Sequence, residues 1–471
     1  MSAGSWQWAA LDDVATVTAG NPAPQGEEFF EGGTHPFVRV QDLGRLKFAS
    51  HLNETADYVN DKASKTLRLF PRGSILFTKS GASLLLNQRA ILGRDMHVVS
   101  HIGVAVPGPR IASEWLYYWL RTVDFADIAH GANMPSLPLA KVKKIMVPVP
   151  PLEEQSARVA EIEKQFSRLD EAVANLKRVK ANLKRYKAAV LKAAVEGRLV
   201  ETEAELARRE GRSYETGAQL LQRILETRRS QWQGKGKYKE PAAPDTTDLP
   251  ELPEGWVWAT ADQLSDKITD GEHISPNVIP SGVPLLSAKD VRDFGVVFED
   301  VKYVSPDDAI KFRSRCDPER GDILIVSRGA TVGRACRVNV DQAFCLMGSV
   351  ILMKLHKLLE SSYALFALKA GFFLTRLTAV SGSTAQQAIY IRDIRPLPLP
   401  LPPLEEQLRI VAEVDRRLSL LRETEVQVNT NLQRAERMRQ SILASAFSGG
   451  IRTTETKWKM SNDLGSGAAH R

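Results

Sequence analysis

A nine-residue segment occurs twice in this chain, at a constant separation of 252 residues. Val147-Pro-Val-Pro-Pro-Leu-Glu-Glu-Gln155 returns as Leu399-Pro-Leu-Pro-Pro-Leu-Glu-Glu-Gln407. The same shift holds for forty residues more, taking Ile162 to Val414, Leu169 to Leu421, Val190 to Ile442 and Gly197 to Gly449. A match of that length without insertions suits a helix held in fixed register. Proline is accepted in a first helical turn and excluded from the interior. The spacing therefore predicts two long helices, opening at Pro151 and Pro403 and stopped at Gly197 and Gly449.

Within the first helix, Ile162, Leu169, Leu176, Leu183 and Val190 recur every seven residues, with Val159, Phe166 and Val173 between them. This is the 3–4 spacing of a coiled-coil seam. The second helix carries Val414, Leu421, Val428 and Ile442, with Leu418 and Leu432 between and weaker Glu425 and Ala435. At 1.5 Å per residue each helix is a rod of roughly 67 Å. Two equal rods whose stripes both need a partner most simply pack on each other; the other reading of the periodicity is an ordinary bundle core.

The duplication extends to the rest of the chain. Trp6-Gln-Trp8 answers Trp256-Val-Trp258, Pro36–Asp42 answers Pro284–Asp290, and Gly73-Ser-Ile-Leu answers Gly321-Asp-Ile-Leu. The offsets drift between 245 and 252 residues while the order is kept, as expected where loops change length on a shared scaffold. Each unit mixes short β-branched runs (Ser74–Thr78, Asp322–Val326) with amphipathic helical patterns (Ser113–Arg121, Ser361–Ala370). The expected class is α+β, two pseudo-repeated globular units each built on a mostly antiparallel sheet. The expected boundaries are 1–151 and 255–403 for the globular units and 152–199 and 404–450 for the long helices. Residues 200–254 read as a helical segment and a Pro/Gly-rich linker, and 451–471 as a disordered tail.

With 43% hydrophobic and 25% charged residues the composition is that of an ordinary globular protein. No apolar run approaches the ~20 residues of a membrane span, and the N-terminus has no signal pattern, so a cytoplasmic chain is expected. Cys316, Cys336 and Cys345 fit no zinc spacing and read as buried thiols. The net charge of +7 permits a nucleic-acid partner. It is not spread evenly, however. Residues 1–151 hold 15 Lys/Arg against 13 Asp/Glu, and residues 255–403 hold 17 against 16. The local exception is Lys177–Lys192, with seven basic residues and no acid, either a solvated helix face or a stripe facing phosphates.

No phosphate-binding loop, dinucleotide fingerprint, zinc-protease motif or adenine-methyltransferase tetrapeptide is present. Asp290 with Asp300-Val-Lys302 superficially resembles a metal-dependent nuclease motif, but the first copy has Asp57 where the second has Lys302. The reading is a non-catalytic chain without metal or cofactor of its own. Two similar units on long helices suit a bipartite target, and duplex DNA offers one because its groove faces recur every ~34 Å. Base edges are read by Arg, Lys, Gln, Asn and Ser presented on loops. The candidates are Lys79, Arg89 and Asn133 in the first unit, and Ser327, Arg328, Arg334, Gln386 and Gln387 in the second.

The doubled Trp-x-Trp, Gly-[Asp]-Ile-Leu and Pro-Pro-Leu-Glu-Glu-Gln elements, each followed by a long helix, resemble the specificity subunit of type I restriction–modification systems over residues 4–452. The resemblance implies two target recognition domains, each reading half of a split double-stranded DNA sequence. It also implies an antiparallel coiled coil that spaces them and docks two methyltransferase subunits using S-adenosylmethionine, with restriction subunits joining that core. By it, Leu152, Glu153, Gln155, Ile162, Leu169, Leu176, Leu183 and Val190 belong to the spacer and subunit interface. Their matches are Leu404, Glu405, Gln407, Val414, Leu421, Val428 and Ile442. The copies depart from each other at Pro71-Arg-Gly-Ser74 against Gly321-Asp322, and at Leu84-Leu-Leu86 against Thr331-Val-Gly333. A nuclease or methyltransferase with its own active site and a coiled-coil adaptor without DNA affinity are the competing readings.

Overall fold

The computed structural model describes residues 6–46, 50–131, 135–234, 236–274, 276–371, 373, 375–376 and 388–447. Asn133, Gln386, Gln387, Gly449 and the tail lie outside them. The chain forms two compact units. One comprises residues 1–177 and 429–471, the other residues 178–428. Each unit takes part of each long helix. The helices run Leu152–Val195 and Leu404–Ala446, beginning directly after Pro151 and Pro403. Gly197 stops the first in the left-handed region at φ +66°, where a Cβ would also lie 2.3 Å from Pro253.

In the first unit a five-stranded sheet joins Ala15–Ala19, Ile102–Pro107, Ile75–Thr78, Arg89–Leu92 and His51–Leu52, in that order. A four-stranded sheet joins Asp57–Val59, His35–Val38, Met96–Val98 and Leu69–Phe70. Pairing is mostly antiparallel, with short parallel pairs at Phe37/His97 and His51/Ile91. Ile75–Thr78 is buried throughout because it faces two cores. Ile75 and Phe77 point to the helix Ser113–Arg121, and Leu76 to the residues beneath the second sheet. That helix was expected to be amphipathic, yet Trp115 to Leu120 are all buried. The sheet covers one side, and the ends of the long helices cover the other: Tyr118 meets Phe166, and Trp115 meets Phe447.

The second unit repeats the plan. Ser265–Asp270, Val350–Leu355, Ile323–Val326 and Ala335–Arg337 form its main sheet, and Lys302–Val304, Val283–Leu286 and Cys345–Leu346 its second. Ile323 and Ile325 face the helix Ser361–Lys369, while Leu324 and Val326 face the opposite core. The region expected as one helical segment is two helices, Glu203–Glu210 and Gly217–Ser230. Gly211 ends the first at φ +63°, and Thr202 and Thr216 cap them with Glu205 and Gln219. Leu220 and Ile224 of the second enter the unit's core.

The long helices pack antiparallel inside each unit. In the first, the Arg158 guanidinium donates to the Ala446 carbonyl at 2.8 Å and Arg439 pairs with Asp170. In the second, Val190, Leu191 and Ala194 share a cluster with Ile410 and Val414. The heptad stripe is not uniformly buried. Val159, Ile162 and Phe166 are sealed at one end and Val190 at the other, whereas Leu169, Val173, Leu176 and Leu183 are half-buried. On the partner helix Val414, Val428 and Ala435 are buried, Leu418, Leu421, Leu432 and Ile442 half-buried, and Glu425 exposed. Two helices alone shield a narrow seam, and at Val159, Ile162, Phe166 and Val190 the clusters of the units complete the burial.

Candidate nucleic-acid interface

The doubled Pro-Pro-Leu-Glu-Glu-Gln segment is the joint between each globular part and its helix. Gln7–Ala10 pairs with Met146–Val149, and Val257–Thr260 with Pro398–Leu401, in equivalent registers: Trp8 opposite Pro148, Trp258 opposite Pro400. Each globular part is thus closed by its own first and last strands. The motif's glutamine is wholly buried. Gln155 donates to the Pro150 carbonyl (2.8 Å) and accepts the Ala112 amide (2.8 Å) before the helix Ser113–Arg121. Gln407 donates to the Pro402 carbonyl (2.9 Å) and accepts the Glu360 amide (3.1 Å) before Ser361–Lys369. A side chain that both donates and accepts at this position explains why the motif ends in glutamine. Gln155→Leu should cost about 2–4 kcal/mol of first-unit stability, since buried backbone groups lose their partners. Urea unfolding measures it, and a change within error would mean that the glutamine does not hold the joint.

The neighbouring glutamates differ. Glu154 accepts from the Trp6 indole at 3.1 Å and from Arg158 at 3.0 Å. Its match Glu406 is fully buried and accepts the Glu203 amide at 2.9 Å, capping the helix Glu203–Glu210; burial raises its pKa. Burial also disfavours the Glu203 carboxylate, but Arg212 and Arg409 outweigh it and hold the pKa below the ordinary value.

At the far end of each main sheet three segments cross in the same way in both units. The Lys79 amide donates to the His101 carbonyl and the Leu137 amide to the Lys79 carbonyl. In the second unit Ser327 donates to Ser349, and Ile389 to Ser327. Isolated bridges repeat too, Ser80 with Ser136 and Arg328 with Ala388. The crossing gathers the hairpin loop, the turn before Ile102 or Val350, and residues 135–137 or 388–389. Gly20 and Gly271 lie beside it, where a Cβ would come within 2.3 Å of backbone carbonyls. Ser80 hydrogen-bonds His101 at 2.8 Å in the first unit. In the second, the guanidinium groups of Arg328 and Arg392 lie 5.8 and 4.8 Å from the ring centre of exposed Tyr390.

Residues 4–185 and 283–433 match the family described as the type I restriction modification DNA specificity domain, well over half of the chain. The chain belongs to that family. It is similar to the type I restriction enzyme EcoBI specificity subunit of Escherichia coli, at 23% identity across 98% of this chain and 89% of that protein. It is also similar to the EcoKI specificity subunit of Escherichia coli strain K12, at 22% identity across 99% and 94%. Among solved structures it shares the fold of a chain determined for complex assembly and conformational transition of the type I R-M system. The TM-score is 0.64 and the identity 20%, over 95% of this chain and 98% of that one.

In this specificity-family chain, Lys79 and Arg328 sit at the two crossings, Lys79 half-buried and Arg328 exposed. Three other candidates make contacts within their own units. Arg89 is buried, its guanidinium 3.7 Å from the Phe125 ring centre, and burial lowers its pKa to about 9. It points under the hairpin because a strand alternates faces, which its position in the sequence does not reveal. Ser327 is buried and donates to the Gly348 carbonyl at 3.3 Å. Arg334 turns back toward the Val291 carbonyl at 3.4 Å. Of the interface candidates, Leu152, Glu153 and Glu405 are exposed, whereas Gln155 and Gln407 are occupied inside their own units.

The nuclease-like triplet dissolves. Asp290 caps its own turn by accepting the Ser287 amide at 2.8 Å, as Asp42 accepts that of Arg39. Lys289, not Lys302, meets Asp300. Among the described residues no group of three or more His, Cys, Asp or Glu could hold a metal ion, and no helix is long and apolar enough to cross a membrane. Sequence reasoning missed Tyr390 and Arg392. The signal was there, an aromatic two residues before an arginine at the edge of the Gln-rich segment, but the first copy has Pro138 at that place.

Proposed function

We propose that the chain is a cytoplasmic, non-catalytic DNA-specificity subunit in which each unit reads one half of a bipartite duplex target. The observation that carries this reading is the repeated crossing, which presents a cationic loop at the same place on both scaffolds. Near-neutral globular parts leave few surplus charges for phosphates, so tight binding needs partners. Those partners are two methyltransferase subunits, which hold the S-adenosylmethionine, together with restriction subunits. The chain itself needs no cofactor for recognition.

The test is DNA binding by the chain co-purified with its methyltransferase subunits, with methylated adenines mapped to define the target. Arg328→Ala is expected to weaken target binding, and to lower the slope of log affinity against log salt by about one if the guanidinium meets a phosphate. Methylation by the complex at no defined bipartite sequence would refute the reading. Methylation by this chain without partners would favour the enzyme alternative instead.

A further inference from the structure

The first unit's crossing carries something its counterpart lacks. Leu85 and Leu86 are 60% and 66% exposed at the tip of the hairpin between Ile75–Thr78 and Arg89–Leu92. Exposed leucines at a floppy loop tip would need no explanation. This tip is braced from every side. Leu84 is fully buried beneath it. Gly81, at φ +83°, donates to the Pro135 carbonyl at 2.9 Å, and Thr78 donates to the Ser83 carbonyl at 3.3 Å. Asn87 sits in the left-handed region at φ +49°, a conformation uncommon for a residue other than glycine. Its side chain donates to the Val123 carbonyl at 3.2 Å and accepts from the Arg89 guanidinium at 2.6 Å. Arg89 in turn donates to the Gln88 carbonyl at 2.9 Å and lies on Phe125, which packs edge-on against Phe77.

Burying a guanidinium is costly unless it is hydrogen-bonded, and the partners that offset the cost at Arg89 belong to the loop it holds. The loop also has a charge preference. From Ile75 to Arg94 the sequence contains no acid, and Lys79 makes no ion pair among the described residues. Within the hairpin itself nothing repels a polyanion, the nearest acids being Asp124 and Asp127 on the bracing turn, and the two leucines stand exposed beside the crossing. Rigid apolar side chains on cationic surfaces make apolar contact with bases, through thymine methyl groups or by wedging between base steps. From this we infer that Leu85 and Leu86 contact the bases of the half-site read by the first unit, with Asn87 and Arg89 as positioning residues. The inference rests on the DNA-recognition reading above and adds to it a chemistry that the second unit, with Thr331-Val-Gly333 there, does not share.

The test uses the full chain with its methyltransferase subunits and a duplex carrying the mapped target. The double variant L85S/L86S keeps the loop length and every brace. It is expected to melt as the unaltered complex does and to bind the target at least about tenfold more weakly, or about 1.4 kcal/mol. The salt slope should be unchanged because no phosphate contact is lost. L85M/L86M, still apolar, should restore binding. Replacing thymines of the first half-site by uracil, or placing 2-aminopurine there, distinguishes methyl contact from wedging, since only a wedge brightens the unstacked base. Unchanged target affinity in L85S/L86S would overturn the inference. Loss of methyltransferase association would overturn it too, by assigning the leucines to a protein partner. Failure of the unaltered complex to prefer its target over a scrambled duplex would instead refute the recognition reading itself, and the inference with it.

Discussion

Phe447→Ala is expected to destabilise the first unit by about 3–5 kcal/mol, the range for removing a fully buried aromatic side chain. Phe447 has no exposed surface, and its ring centre lies 4.5 Å from that of Trp115 and 5.2 Å from that of Trp119. Those tryptophans are fixed in turn, donating to the Pro148 carbonyl at 2.8 Å and the Met146 carbonyl at 3.1 Å. Leu443 and Phe447, at the end of the second long helix, thus complete the core of a globular part more than three hundred residues earlier in the chain. The cavity left by alanine is walled by large rigid rings that cannot collapse into it. Urea unfolding followed by tryptophan fluorescence reads the effect directly, because the probes line the cavity. A loss below about 1 kcal/mol, the centre of the range for ordinary substitutions, would mean the helix end is not part of that core.

Exchanging residues 1–150 for the matching segment of a relative should replace one half of the methylated sequence completely and leave the other half untouched. The structural warrant is the closing ribbon: Gln7–Ala10 with Met146–Val149 means that the exchanged piece brings both strands of its own seal. The joint left behind asks for specific groups. Glu154 needs an indole at position 6, Gln155 needs a backbone amide where Ala112 stands, and Phe447 needs aromatic faces at 115 and 119. A donor keeping those features should fold and transfer its half-site. Methylated-adenine mapping of the hybrid decides the matter. A change in both halves would show that the units do not read independently.

Much of this was legible in the sequence because duplication exposes constraint. A segment kept at constant offset marks residues that cannot slip, and the helix starts at Pro151 and Pro403 followed from the chemistry of proline alone. The strands Ile75–Thr78 and Ile323–Val326 and the helix Ser113–Arg121 were recognisable from β-branched runs and from an aromatic-rich helical pattern. The candidate surface was less legible. Lys79 and Arg328 were singled out because their loops hold matching places, and the structure puts both at the crossings. That Arg89 is buried was not legible, since an arginine that leaves a hairpin and one that braces it look alike in one dimension.

The sequence by itself determined the twofold plan, the extent of the two long helices at their starts and the glycine stop at Gly197, because proline, glycine and heptad spacing act locally. Only the tertiary structure decided where the seam is sealed, since burial at Val159–Phe166 and at Val190 depends on globular parts remote in sequence. It alone showed why the repeated motif ends in glutamine, whose partners at Ala112 and Glu360 lie some forty residues away. It alone showed that Glu406 caps a helix which the first copy's Glu154 does not meet. A hydrogen-bonding group declares its capacity in sequence, but its partner is chosen by packing. That is why identical residues at matching positions, such as Glu154 and Glu406, end in different surroundings.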